Sequence, residues 1–224
     1  EMCRHFDVVL AVSEEDKRAL IEIGAREDIV VIPIAIDTEE VKMLDLAPTE
    51  PHIVHIGTMF WPPNVNGILW FLREIYPRVR TRVPEVRCTL IGARPPQQIV
   101  QLGQTDPTLT VTGFVDDPEP YLRRGSLMVV PLQAGGGMRV KILNALAQGM
   151  PVVSTALGCE GIAVTDGQDI LVADEPAAFA DAVVRLLTDP ALRRRLAEGG
   201  RRLVEKTYDY RIACRPLDVI YGSA

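Results

Sequence analysis

Gly135, Gly136 and Gly137 are followed directly by Met138, Arg139, Val140 and Lys141. Three glycines in a row let a backbone come close to a ligand and tolerate positive φ. They stand between an apolar run at 128–130 and a helical pattern, Val140, Leu143 and Ala147, closed by Gly149. A helix start offers free N–H groups and partial positive charge, which attract anions. Arg139 and Lys141 add two cations where the helix dipole disfavours them by about 0.3–1 kcal/mol each. A bound diphosphate reverses that sign; the competing reading is a flexible turn with solvated cations. The segment is not a Walker A loop, because GxxxxGK[ST] is absent, and GxGxxG fails as well.

Two further loops join an apolar run to a helical pattern. In the first, Gly57 leaves room for a ligand and Thr58 offers a hydroxyl, while Phe60 and Trp61 could equally cover a sheet. Asn64, after Pro62 and Pro63, reads as a helix cap. In the second, Gly113, Phe114 and Val115 precede Asp116 and Asp117. Asp117 stands before Pro118, so it reads as a helix cap rather than an acid or base. The loop backbone could still read a flat heterocycle. His52 and His55 form HxxH on a strand, where an offset of three points them apart, so a shared metal is not expected. His55 is expected to have its nitrogens satisfied locally. GxSxG is absent, which leaves a serine hydrolase without support.

The elements that must position these loops follow from hydrophobic patterning. Short, continuous β-branched runs occur at 8–12, 29–32, 53–56, 88–91, 109–112, 128–130, 152–154 and 170–172. Such runs suit strands buried on both faces of a parallel sheet. Helical patterns lie between them at 14–23, 65–79, 140–147, 177–187 and 191–206. The alternation predicts an α/β fold with a doubly wound, Rossmann-like parallel sheet, which binds ligands at the carboxyl ends of its strands. Residues 1–50 read as strand–helix–strand, 51–206 as the ligand-binding domain, and 207–224 as a final amphipathic helix with Tyr208, Ile212, Leu217 and Ile220, broken near Pro216. The chain opens at Glu1 without a start methionine and soon enters a strand, which reads as a piece of something longer.

Composition limits the function classes. Of 224 residues, 24 are basic and 30 acidic, giving a net charge of −6, which argues against a nucleic-acid partner. Cysteines 3, 88, 159 and 214 are scattered, so no metal centre is expected and a reduced, cytoplasmic chain is. No apolar run reaches the ~18 residues of a membrane span. The Arg193–Arg195 and Arg201–Arg202 clusters read as a solvated helix face, with peripheral contact to an anionic membrane as the alternative.

Taken in order, these loops resemble the C-terminal, donor-binding domain of GT-B glycosyltransferases of family 4, the "group 1" type. The residues that carry the resemblance are Ser13-Glu14, Val31 through Asp37, His55 through Thr58, Gly113 through Val115, and above all Gly135 through Val153. The resemblance implies a nucleotide-sugar donor, UDP- or GDP-linked, and no other cofactor. It places Gly57 and Thr58 under the diphosphate and Gly113, Phe114 and Val115 at the base. Gly135, Gly136, Gly137, Met138, Arg139 and Lys141 would approach sugar and phosphates, and Asn144 the ribose. Arg139 and Lys141 would stabilise the departing diphosphate, without metal. The acceptor, a glycan or lipid-linked molecule, belongs to a missing N-terminal half, so the chain alone is expected to be inactive. The resemblance further implies retention of configuration.

The sequence departs from the family pattern in several places: no basic residue stands between Gly57 and Leu72, Ile34-Ala35 replaces the usual Asn-Gly turn, and two glutamate positions differ. Where many members place glutamates in an ExxxxxxxE spacing, this chain has Gly136 and Asn144. Asn144 can accept from one ribose hydroxyl and donate to the other. These departures keep open a degenerate domain that binds a nucleotide or a partner without turnover. A nucleotide-sugar 2-epimerase shares the plan, but the extra carboxylates it needs are not seen.

Overall fold

The structure, a computed structural model, describes every residue except 1, 47, 49, 223 and 224. In chain order the strands are β1 (Leu10–Ala11), β2 (Val30–Val31), β3 (His52–Ile56), β4 (Arg87–Ile91), β5 (Leu109–Gly113), β6 (Leu127–Val130), β7 (Val152–Ser154) and β8 (Leu171–Val172). Each falls within or against a β-branched run of the sequence. The helices are α1 (Glu14–Glu22), α2 (Pro62–Trp70), α3 (Tyr76–Arg82), α4 (Gln97–Thr105), α5 (Glu119–Leu122), α6 (Val140–Ala147), α7 (Pro176–Thr188), α8 (Pro190–Leu203), α9 (Tyr210–Ala213) and α10 (Arg215–Tyr221).

Six strands form one parallel sheet in the order β5-β4-β3-β6-β7-β8. The chain starts at β3, winds outward through β4 to β5, then returns to β6 and winds the other way. Both faces are covered. Phe71, Ile75, Val79, Phe179, Val183 and Leu196 pack with Ile53, Leu90, Leu127 and Val129 on one face. Ile142, Leu143, Leu146 and Tyr208 pack with Val54, Met128, Val130 and Val152 on the other. This is the doubly wound α/β fold that the alternation of elements predicts. β1 and β2 form a separate two-stranded parallel pair.

Local sequence explains most boundaries. Ser13 caps α1, accepting from the Asp16 N–H at 3.0 Å, and three acidic residues complement the first turn. Asp189 caps α8 through the Leu192 N–H at 2.9 Å. Gly149, at φ 70°, turns the chain from α6 toward β7. Asp117 accepts from the Glu119 N–H at 2.9 Å in a turn before α5, but the cap position of that helix is Pro118, so Asp117 is not the N-cap expected.

Four further expectations need correction. The 65–79 pattern is one continuous run, but Phe71–Ile75 between α2 and α3 is π-helical. Asn64 is not the cap of α2: the helix starts at Pro62, and Asn64 is buried inside its first turn. α4 is absent from the helical patterns; its polar sequence buries only Ile99. The C-terminal segment breaks at Cys214, and α10 buries none of its residues. What packs back is Tyr208, Asp209 and Ala213.

Asp209 is the anchor of that packing. Its carboxylate takes two bonds from the Arg211 guanidinium at 2.7 Å and one from the Thr38 hydroxyl at 2.5 Å. Its backbone bridges Ile36. Arg211, and then Thr38, hold the carboxyl well below its ordinary 3.8 against the opposing effect of burial. A depressed carboxylate contributes stability that is complete above the unfolded value and fades as the pH falls below it. Asp209→Asn is therefore expected to cost about 1–3 kcal/mol at pH 7. Thermal denaturation of both proteins should show that gap closing well below pH 3.8; a constant gap would contradict the assignment.

Candidate functional site

The strand order reverses between β3 and β6, where Ile53 pairs with Leu127 and Val54 with Met128. At such a switch point the connections leave on opposite faces and open a crevice at the carboxyl ends. After β3 the chain runs through Gly57 into α2. After β6 it runs through Gly135–Gly137 into α6. The third expected ligand loop, from Gly113 to Val115, follows β5 at the edge of the sheet. Two of the three thus meet at one place.

A cavity of about 440 Å3 opens there between α5 and α6. Ile56 and Gly57 form its end, Pro118 and Leu122 one wall, and Val140, Lys141, Asn144 and Gln148 the other. The lining is mostly apolar, and among the described residues Lys141 is the one ionisable side chain in it. Mostly apolar walls with few polar groups characterise small-molecule sites. Asn144 is exposed to this space, not packed in the core.

Lys141 donates to Asn64 Oδ1 at 2.9 Å, and Asn64 Nδ2 donates to the Thr58 carbonyl at 2.9 Å. One amide therefore ties α6 to the loop after β3. Gly57 is required beneath them. A Cβ there would lie 2.7 Å from Lys141 Nζ, 3.0 Å from Asn64 Nδ2 and 3.2 Å from His55 Nε2. Burial, reinforced by the charge of Arg139, lowers the Lys141 ammonium from 10.5 to about 8.

His55 is fully buried, with Nδ1 2.9 Å from the Val129 carbonyl. A carbonyl can only accept, so Nδ1 carries the proton. Burial, and next the charge of Lys141, lower its pKa to about 3, so the ring is neutral. Nε2 has no partner among the described residues, contrary to the expectation that both nitrogens are satisfied. His52 instead bonds Thr89 at 2.8 Å, so the two histidines turn to different neighbouring strands. Among the described residues, no group of three or more His, Cys, Asp or Glu side chains converges as a metal site.

Arg139 is buried in its own loop. Its guanidinium donates to the carbonyls of Gly135 at 2.8 Å and Gly137 at 2.7 Å, and also to Gly136. It lies 5.4 Å over the Trp61 ring. Gly135 and Gly137, at φ 97° and 88°, turn these carbonyls inward. Arg139 thus shapes the glycine loop, and Lys141 is the cation presented to the cavity. Met138 is buried in the core, leaving its backbone for any ligand contact. Gly113, at φ 73°, ends β5, and Phe114 is exposed beyond it. Val115 is half-buried on the way to the Pro118 wall, and Thr58 is exposed.

The sequence model described as "Glycosyl transferases group 1" matches residues 50–189. The chain belongs to this family. A phosphatidyl-myo-inositol mannosyltransferase of Mycobacterium tuberculosis is 25% identical, over 95% of this chain and 58% of that protein. The solved structure of TarM from S. aureus aligns over 100% of this chain and 45% of its own, with 16% identity and a TM-score of 0.85. Anabaena HepE, solved with UDP and glucose, aligns over 99% of this chain and 64% of its own, with 18% identity and a TM-score of 0.79. The group 1 chain shares the GT-B type of α/β fold with these neighbours and spans about half the length of the curated relatives it matches.

The group 1 cavity holds an ammonium that, among the described residues, no carboxylate offsets. A lysine held below its unfolded value penalises the fold while it is charged. The penalty, about 3 kcal/mol, is complete below pH 8 and disappears as the pH rises toward 10.5. Lys141→Met removes the charge but leaves Asn64 without its donor. A net gain of about 1–2 kcal/mol is expected at pH 7, or a Tm rise of roughly 2–8 °C. Calorimetric melting tests this; an equal or lower Tm would show that the ammonium is not under strain.

Proposed function

We propose that this chain is the donor-binding half of a glycosyltransferase that moves a sugar from a nucleoside diphosphate to an acceptor. The observation that carries the reading is Lys141 at the start of α6, uncompensated and, among the described residues, the single ionisable group in the cavity. A site that keeps a costly cation without a counter-charge is built for an anionic ligand. The diphosphate lies against Lys141, Gly57 and the free N–H groups of α6. The ribose lies along Asn144, and the base toward Pro118 and the loop from Gly113 to Val115.

During transfer the bond between the anomeric carbon and the phosphate oxygen breaks. Negative charge grows on the departing diphosphate, and the Lys141 N–H groups and helix start meet it without reorganising. Arg139 contributes by fixing the glycine loop. Transfer proceeds with retention and without a metal, as the family resemblance implies. The acceptor, a glycan or a lipid-linked molecule, and the group that takes its proton come from a preceding domain. The alternate residues Phe6, Val8, Leu10 and Val12 are all exposed, which suits a face that such a domain covers. The isolated chain therefore binds donor but transfers no sugar. Its four free cysteines support a reducing, cytoplasmic setting, with peripheral membrane contact where the acceptor is a lipid.

Isothermal calorimetry with UDP, GDP and uridine tests the reading. Lys141→Ala should weaken the diphosphates about tenfold or more and leave uridine nearly unchanged, because a charge-assisted bond contributes roughly 1.5–3 kcal/mol. Equal losses for UDP and uridine would remove Lys141 from the phosphate site.

Asn144→Glu provides an independent check. Asn144 is exposed to the cavity, so a carboxylate there costs little in folding and can accept from both ribose hydroxyls. Affinity for UDP should hold or improve, with Tm unchanged. A large fall in Tm that UDP does not rescue would move the ribose elsewhere.

A further inference from the structure

We propose that Asn64 and His55 act together as the positioning pair for Lys141, fixing its ammonium beneath the donor diphosphate. The inference rests on the reading of the cavity as a nucleoside diphosphate site. It assigns work to two buried polar side chains that the transfer step does not otherwise use.

Asn64 is 3% exposed, and both ends of its amide are engaged: Nδ2 on the Thr58 carbonyl and Oδ1 on Lys141 Nζ. This fixes which end of the amide faces the lysine, since the carbonyl of Thr58 can only accept and the ammonium can only donate. Asn64 is thus an acceptor that holds the ammonium without neutralising it. A carboxylate in its place would pair with the lysine and compete with an incoming phosphate.

His55 approaches from the other side. Its Nδ1 is committed to Val129, so Nε2 presents a bare lone pair with no partner among the described residues. His55 Nε2 and Lys141 Nζ lie 3.2 Å and 2.7 Å from the point where Gly57 lacks a Cβ. An unpaired buried acceptor is rare and costly, about 1–3 kcal/mol. No hydrogen bond joins it to Lys141 Nζ, but both atoms border the space left by Gly57. The ring stays neutral, so it attracts the ammonium and does not repel it. Asn64 takes one of the three Lys141 N–H groups, and the other two are left for the ligand, with the His55 lone pair nearby. The charged or titratable groups facing Lys141 are Arg139 from its own loop and His55 from β3. α2 offers Asn64, and the α5 wall offers only Pro118 and Leu122.

The chain contains four lysines, 17, 42, 141 and 206, so Cε-labelled lysine can be followed by NMR through a pH titration. In the wild type, Lys141 should titrate near 8. Asn64→Asp should raise the Lys141 midpoint by at least one pH unit, and Asn64→Leu should lower it or broaden the signal as the ammonium loses its anchor. Calorimetry with UDP from pH 6 to 10 reads the consequence. Wild-type affinity should fall about tenfold from pH 7 to pH 9, as the ammonium is lost. In Asn64→Asp the fall should move to higher pH, and affinity at pH 7 should be lower than in the wild type. The imidazole 15N signals of His55 should show Nδ1–H and an unprotonated Nε2 that responds when Lys141 loses its proton.

Midpoints identical in wild type, Asn64→Asp and Asn64→Leu would overturn Asn64 as the anchor, whatever UDP does. An Nε2–H tautomer would overturn the part given to His55. If the midpoints move as expected but UDP affinity ignores pH, the positioning stands and the diphosphate reading fails.

Discussion

β3 and β6 pair edge to edge although the whole β4–β5 excursion separates them in sequence. That parallel pairing is the constraint on which the site depends. It places the end of β3, with Gly57, beside the end of β6, with the glycine loop. Because the strand order reverses there, α2 and α6 leave on opposite faces and cannot close over the gap. The cavity is a consequence of topology, and the side chains only decide what it accepts.

What they provide is a desolvated cation held by neutral partners. Folding alone disfavours this arrangement, since an ordinary core would offset the lysine with a carboxylate or replace it with a hydrophobe. Asn64, His55 and Gly57 are instead fitted around the ammonium. Arg139 shows the contrasting use of a cation. Two of its guanidinium nitrogens donate to three loop carbonyls and the group lies over the Trp61 ring, which makes the glycine loop a shaped object. Two cations two residues apart thus have different tasks: one builds the site and the other faces the ligand.

Much of this fold is legible in the sequence because its strands are buried on both faces. Apolar runs such as Leu127 to Val130 have no polar alternation to confuse them, and Gly149 marks the end of α6 plainly. Lys141 and Asn144 are also legible as cavity residues, whereas Gly135, Gly136 and Gly137 do not line the cavity. Asn64 is not, because Pro-Pro-Asn is locally an excellent cap and its true partner is 77 residues away. Nothing local indicates that Arg139 folds back on Gly135 while Lys141 does not. α4 escapes the pattern because its burial rests on Ile99, with Leu102 half-buried beside it. The π-helical stretch at Phe71–Ile75 answers to packing on the sheet, not to propensity.

On the proposed reading, the Lys141 ammonium is costly in the free protein and is relieved by a diphosphate. Proton uptake on binding measures this directly. UDP titrations at pH 8.5, in buffers of different ionisation enthalpy, separate the heat of binding from the heat of protonation. With a free value near 8 and a higher value once the phosphate arrives, binding should draw in roughly half a proton or more, and Lys141→Met should draw in none. UDP binding with no proton uptake in the wild type would contradict the account.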